Sequence, residues 1–304
     1  MGEVVVSICC ITYNHADYIS DCLDGFLLQK VDFPIEFIIH DDASTDNTQE
    51  IIKNKVGRDP RFNLIFREEN IKSKGTAVFP LIYKIAKGKY IATCEGDDYW
   101  TDPFKLQKQV DYLEAHPQCT LLAHDAEVVH EGIPVVRDIF YTKPFQGEGD
   151  FQFDFADEFN NHFIATASIV FRKGDWLNEL VHYLDRCFTG DIPLCLYMLT
   201  KGYGYYINEK LCVKRRNAGG ITQSKDRRRV QFERMYDTWR VVSLFSPEYA
   251  KVPVEIRLSN FERGLAKAYL KNGKPKGIKY LFRSFYRNPG GFFARRLKSE
   301  RCPQ

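Results

Sequence analysis

The sequence has no apolar run approaching the ~18 residues a membrane-crossing helix needs, so no helical span is expected. Its first residues lack a charged segment followed by an apolar stretch, so no signal peptide is expected. An N-myristoylation signal fails at Val6, where Ser or Thr is wanted. No Cys-x-x-Cys pair occurs among the nine cysteines, which are scattered and odd in number. Structural zinc and a redox dithiol are therefore not expected, and reduced thiols of a cytosolic enzyme are. Internal repeats and low-complexity segments are also missing. At 304 residues the chain can bury a substantial core, in one large domain or one domain with an appendage.

A net charge of +3 conceals an asymmetry. From Lys271 to Gln304 there are ten Lys or Arg and a single acid, Glu300. The preceding 270 residues carry 33 basic and 39 acidic side chains, a net of −6. An acidic body with a basic tail is a statement about partners.

The first half alternates between two periods. EVVVSICCI is a continuous apolar run ending in Thr12-Tyr13-Asn14, the pattern of a buried strand that runs into a loop. Tyr18, Ile19, Cys22, Leu23 and Phe26 then recur at helical spacing between His15 and Gln29. IEFIIH reads as a second strand, and STDNTQEIIKNKV as a helix opened by capping residues. FNLIF, FPLIYKIAKG and YIATC give strand, helix and strand, and 102–116 gives a further amphipathic helix with Pro103 near its start. Strands separated by single helices imply a mostly parallel sheet flanked by helices, with ligands outside the carboxyl ends of its strands. TYN, HDDAS and EGDD all fall at such ends. Later, ATASIVF reads as a strand, 189–201 as a helix, and GYGYYINEKLCVKRR as a pair of short strands. From Asp226 the pattern is helical, with interruptions expected at Pro247, Pro253, Pro275 and Pro289. The expected division is a catalytic domain over 1–221 and a basic, aromatic-rich helical region over 222–304.

Glu95, Asp97 and Asp98 crowd three carboxylates into four residues at the mouth of a buried strand. Like charges that close need solvent, hydrogen-bond donors or a cation. One carboxylate of an Asp pair can hold Mg²⁺ while phosphate oxygens and water fill the other positions. Its neighbour can then accept from a ribose hydroxyl. Helix capping accounts for one acid but not for three. In HDDASTDNT, likewise, Ser44, Thr45 and Asp46 suit an N-cap, which leaves the pair Asp41–Asp42 over. An Asp at a strand end can accept from a nucleobase N–H. Taken alone, a Tyr beside a strand end, as Tyr13 is, is more often packing than a stacking platform.

VSICCITYNHADYISDCLDGFLLQ, EFIIHDDASTDNTQEII and KGKYIATCEGDDYWTDPFKLQKQV together resemble the family-2 glycosyltransferases, most of all bacterial members that build surface polysaccharides. The likeness runs from about Val4 to Gly220. It implies the GT-A fold, a Rossmann-like α/β architecture, a nucleotide-sugar donor with UDP the favoured carrier, Mn²⁺ or Mg²⁺ as cofactor, and inversion at the anomeric carbon. By the same resemblance Ile11 and Tyr13 lie at the base-binding turn and Asp42 reads the base. Asp97 meets the ribose in a DxD-type motif, and Asp98 ligates the metal. Glu95 stands where many relatives have Asp. Asp191, in FTGDIPLCLYMLTKGYGYYI, matches the catalytic base, although by its own chemistry it could equally cap a helix ahead of Pro193. CVKRRNAGGITQS matches a loop that in relatives reads Tyr-Arg-x-His-x-Gly-Gly and closes on the diphosphate. Arg215 fits the Arg, and Asn217 replaces the His. Lys72 and Lys74 lie after the third strand, where relatives present donor-side polar groups; either could contact phosphate, and the preferred reading is a solvated loop lysine.

Two other functions fit a similar sheet. A sugar nucleotidyltransferase would carry a Gly-rich, Arg-containing loop after the first strand, where this chain has CCITYN. A catalytically inactive nucleotide- or sugar-binding module is disfavoured by the retention of Asp42, Asp97, Asp98 and Asp191 together. The expected partners are a nucleotide-sugar donor and a glycan or polyprenyl-linked acceptor, with no nucleic acid, since the body is acidic. Over 271–301 basic residues alternate with aromatics. That suits a helix on an anionic membrane surface, presenting Tyr280, Leu281, Phe282, Phe285, Phe292 and Phe293, and a protein on the inner face of the cell membrane. The alternative is a helical appendage that packs its aromatics and exposes its cations.

Overall fold

The structure, a computed structural model, describes residues 2–131, 147, 149–187, 189–217 and 228–294. The Gly-Gly segment after Asn217 and the end of the basic tail lie outside the described residues, as do the side chains of Phe292 and Phe293. The chain divides into two compact units, one of Met1–Asp185 with Gly190–Gln223 and one of Arg186–Thr189 with Ser224–Gln304.

In the first unit four strands, β1 (Val6–Thr12), β2 (Ile35–Asp41), β3 (Phe62–Phe66) and β4 (Tyr90–Glu95), lie parallel in the order β3-β2-β1-β4. Every residue of β1 is buried, as a strand covered on both faces requires. The connecting helices are α1 (Ile19–Leu27), α2 (Thr48–Val56) and α3 (Phe79–Ile85). The chain runs outward from β1 to β3 and then returns to the other side of β1 as β4. That reversal places a crevice between the carboxyl ends of β1 and β4, the usual ligand position in an open α/β sheet. Ile11 pairs there with Glu95.

Beyond β4 the sheet departs from the pure strand–helix alternation of the first half. After β5 (Tyr99–Trp100) and α4 (Lys105–Ala115), the strand β6 (Cys119–Glu131) does not join β4 directly. The short β8 (Val170–Arg172) lies between them, antiparallel to both. ATASIVF is thus a 3-10 turn over Thr166–Ser168 followed by a strand of three residues. The two short strands expected in GYGYYINEKLCVKRR are one long strand, β9 (Tyr203–Asn217), parallel to β6 with register shifts near Asp125. Those irregularities let one strand bend where two were expected. β9 also pairs antiparallel with β5 and with β7 (Phe151–Phe153). The helices of this part are α5 (Phe155–Asn161), α6 (Leu177–Leu184) and α7 (Asp191–Met198). A Cβ on Gly25 would lie 2.7 Å from the backbone N and O of Trp100, so glycine is what lets α1 sit directly against β5.

The second unit is built of α8 (Arg228–Phe245), α9 (Glu248–Lys271), α10 (Lys276–Arg287) and α11 (Pro289–Ala294). Pro253 does not interrupt α9 as expected. The backbone hydrogen bond it forfeits falls in the second turn, next to exposed Tyr249, where water can serve the carbonyl. Inside, the Tyr236 hydroxyl donates to Glu262 at 2.8 Å, and Arg287 bridges Glu262 and Glu255. Tyr280 is 9% exposed and packs on Tyr236 and Tyr269, which corrects its expected place on an outer face. Ile278, Leu281, Phe282 and Tyr286 are exposed instead.

Candidate active site

The loops after β1 and β2 are stitched together. Asn14 adopts a left-handed φ of 54°, a conformation Asn tolerates better than most residues. Its side-chain oxygen accepts from Thr45 N at 2.8 Å, and its own N–H donates to Ser44 Oγ at 2.8 Å. Ala16 N donates to Asp46 at 3.0 Å and His15 N to Thr48 Oγ1 at 2.9 Å. The two acids of HDDAS divide their work. Asp41 is fully buried and accepts from Ser44 N, Ser44 Oγ and Gln49 Nε2, so it is a strut of its own loop. Asp42, 3% exposed, accepts from Ile71 N at 2.9 Å and Lys72 N at 3.0 Å and so fixes the segment after β3. The Ile11 carbonyl accepts from Gly96 N at 2.9 Å, while Tyr13 stands 42% exposed beside it.

Opposite these loops is the acidic turn. Glu95, Asp97 and Asp98 each offer a carboxylate oxygen within 4.8 Å of the others. Gly96 permits this, because a Cβ there would meet Thr12 Oγ1 at 2.6 Å. Asp98 is 1% exposed. Its Oδ1 accepts from Arg215 N at 2.8 Å. Its Oδ2 has no hydrogen-bond donor, and the Lys214 ammonium stands 3.7 Å away. Burial is the main cause that pushes the Asp98 carboxyl up to about 7; Lys214 opposes this, and the charges of Asp97 and Glu95 add to it. Glu95, half-buried, is also raised by desolvation, with Lys214 again opposing. Asp97 Oδ2 accepts from Asn217 Nδ2 at 3.1 Å and lies 4.0 Å from His15 Nε2.

Arg215 locks this turn to β9. Its guanidinium donates to the Asp97 carbonyl at 3.2 Å and to Glu131 at 2.9 Å, pairs with exposed Asp21, and lies 4.4 Å from the centroid of the Tyr99 ring.

Asp191 opens α7 but is not its cap: the N-cap is Gly190. The charge of Asp191 contributes to raising the carboxyls of both Glu95 and buried Glu158, so it shares the electrostatic neighbourhood of the acidic turn. A cavity of about 30 Å³, large enough to hold water, lies beside Lys214 and is lined also by His124, Phe163 and Tyr206. His124 Nδ1 is 2.7 Å from the Asp125 carbonyl, and its Nε2 has no partner. The structure thus gathers Ile11, Asp97, Asp98 and Arg215 about one turn, with Asp42 and Tyr13 on the facing loops. His15, Lys214, Glu131 and Asp21 were not legible as members. Only Lys214 had a signal, its position beside Arg215.

Residues 7–180 match the model of Glycosyl transferase family 2. The chain belongs to this family. Among other members, an uncharacterised protein of Mycobacterium tuberculosis is 37% identical over 231 residues, which is 74% of this chain and 63% of that one. The chain therefore spans less than two thirds of that relative's length. The Escherichia coli UDP-Glc:alpha-D-GlcNAc-diphosphoundecaprenol beta-1,3-glucosyltransferase WfaP is 30% identical over 199 residues, covering 65% of this chain and 71% of that one. The structure of S. aureus TarS 1-349 in complex with UDP superposes with a TM-score of 0.65 at 16% identity, over 96% of this chain and 83% of that one. This member of family 2 thus has the GT-A fold that its resemblance to the family implied.

Proposed function

We propose that the first unit transfers a sugar, with inversion, from a UDP-sugar to a hydroxyl of a lipid-linked glycan in polysaccharide biosynthesis. The observation that carries this is the carboxylate trio at the β1–β4 crevice of a family-2 chain, with one buried oxygen of Asp98 lacking a donor. WfaP, by its name, uses UDP-Glc and an undecaprenol-linked acceptor, and TarS binds UDP, which supports the choice of carrier and acceptor class.

Asp98 would hold a divalent cation, and the oxygen without a donor fits one. When bound, such a cation neutralises the charge that develops on the departing diphosphate. Asp97, oriented by Asn217, accepts from the ribose. Each Asp42 oxygen already accepts one N–H and keeps a second lone pair, which takes the N–H of the base. Tyr13 and the Ile11 turn flank that base. Arg215 exchanges exposed Asp21 for phosphate oxygens, a swap of one carboxylate for another anion. Asp191 takes the proton of the acceptor hydroxyl as its oxygen attacks the anomeric carbon. The bond from that carbon to the phosphate oxygen breaks, and its electron pair leaves with UDP.

Thermal unfolding with UDP, GDP, dTDP or CMP, each with and without Mn²⁺, tests the donor site. A nucleotide at 100 times its Kd should stabilise the folded chain by about 2.7 kcal/mol. We expect a Mn²⁺-dependent rise in Tm with UDP; no rise with any of the four would remove the reading.

We further propose that α10 lies on an anionic membrane surface. Ile278, Leu281, Phe282 and Tyr286 are exposed on it among Lys276, Lys279 and Arg283, and no helix among the described residues is long and apolar enough to cross a membrane. Sedimentation with phosphatidylglycerol vesicles at low salt should carry the protein down, and Phe282→Glu with Ile278→Glu should keep it in the supernatant. Equal sedimentation of wild type and variant would exclude this face.

A further inference from the structure

The cation-binding oxygen of Asp98 is not without charge compensation. Lys214 holds its ammonium 3.7 Å from Oδ2, outside hydrogen-bond range but within ion-pair range. Its side chain is 16% exposed, and β9 pins its backbone through the pairing of Tyr99 with Val213. Lys214 is also the foremost charge opposing the upward shift of Glu95. One ammonium therefore balances two buried or half-buried carboxylates.

A divalent cation at the same oxygen would face that ammonium at short range in a poorly solvated turn, where like charges repel strongly. The repulsion is relieved if negative charge arrives with the metal, and a nucleoside diphosphate brings it. The four-carbon stem of a lysine lets its ammonium turn toward such an anion, which the rigid guanidinium fork of Arg215 does less readily.

We propose that Lys214 is the resident counter-cation of Asp98, so that a divalent cation binds tightly only together with the nucleotide; this rests on the donor-site reading above. Lys214 is then a positioning residue that orders ligand entry and contributes to holding the diphosphate afterwards.

The test is Mn²⁺ binding followed by the electron paramagnetic resonance of free Mn²⁺ at pH 8, with and without UDP, for wild type, Lys214→Met and Lys214→Arg. Unfolding curves without ligand establish that each variant is folded. Without UDP, Lys214→Met should bind Mn²⁺ about tenfold more tightly than wild type, or better. With Mn²⁺ present, the same variant should bind UDP more weakly. Lys214→Arg, which keeps the charge, should behave like wild type in both. A merely structural lysine would weaken both affinities or neither. Nucleotide binding by wild type together with an unchanged or weakened Mn²⁺ affinity in Lys214→Met overturns the proposal alone. Failure of wild type to bind UDP or GDP with Mn²⁺ overturns the donor-site reading as well.

Discussion

Asp98→Asn should abolish sugar transfer, with kcat falling by about 10³-fold or more, because the amide offers the cation no negative charge and a cation's stabilisation of a leaving group is worth several kcal/mol. Stability should move the other way. The Asp98 carboxyl is raised from the ordinary Asp range to about 7, so the folded state binds its proton more tightly than the unfolded chain does. The unfolded chain therefore binds fewer protons between pH 4 and 7, and stability falls as pH rises through that window, levelling off above it. At 1.36 kcal/mol per pH unit, this one group costs at most about 4 kcal/mol at pH 8 in the absence of ligand. Asp98→Asn removes that contribution. Denaturant unfolding of both proteins from pH 4 to 8 measures it as a difference, which leaves out the raised carboxyl of Glu158 common to both and includes the mutual repulsion of Asp98 and Glu95. Retained turnover in the variant would remove Asp98 from the metal site. Parallel stability curves would mean that its carboxylate is better compensated than its surroundings indicate.

Asp191→Asn should lower transfer by 10²- to 10⁴-fold, the usual worth of a general base, and leave UDP affinity within about threefold. The change is isosteric, and Asp191 makes no capping hydrogen bond whose loss would weaken α7. Losing a negative charge in the first helical turn costs about 0.3–1 kcal/mol, partly offset by relief of repulsion toward Glu95 and Glu158. The variant should thus fold, bind donor and fail to transfer. Donor binding comes from isothermal titration and transfer from single-turnover release of UDP. Transfer near the wild-type rate would exclude Asp191 as the base, and loss of UDP binding as well would make it part of the donor site.

On the roles proposed above, the two substitutions separate the activation of the donor from that of the acceptor. Asp98 sits in a turn fixed by strand pairing, whereas Asp191 is carried on a separate helix of the same unit. Any movement between β4 and α7 would change their distance without altering either group.

Local pattern determined the parallel strands and the ends at which chemistry would gather. A fully buried strand must be continuously apolar, and a chain that leaves such a strand polar must be entering a loop, so EVVVSICCI-TYN and YIATC-EGDD announce themselves. The same logic located the acidic trio. It did not reveal β8, because three residues are too short to show a period, nor the unity of β9, because its irregular register interrupts the alternation.

Which acid does what was decided only by tertiary structure. Asp41 and Asp42 are adjacent and alike in sequence. One holds its own loop, and the other holds the segment after β3 through N–H groups about thirty residues away. Arg215 is bound to Asp21, nearly two hundred residues earlier, and Lys214 reaches Asp98 across more than a hundred. Hydrogen bonds and ion pairs depend on distances of a few ångströms that strand pairing sets between remote segments, and no local period encodes them. The sequence by itself therefore determined the strand ends at which the polar clusters gather, and only the folded sheet decided which carboxylate keeps an oxygen without a hydrogen-bond donor and which lysine stands beside it.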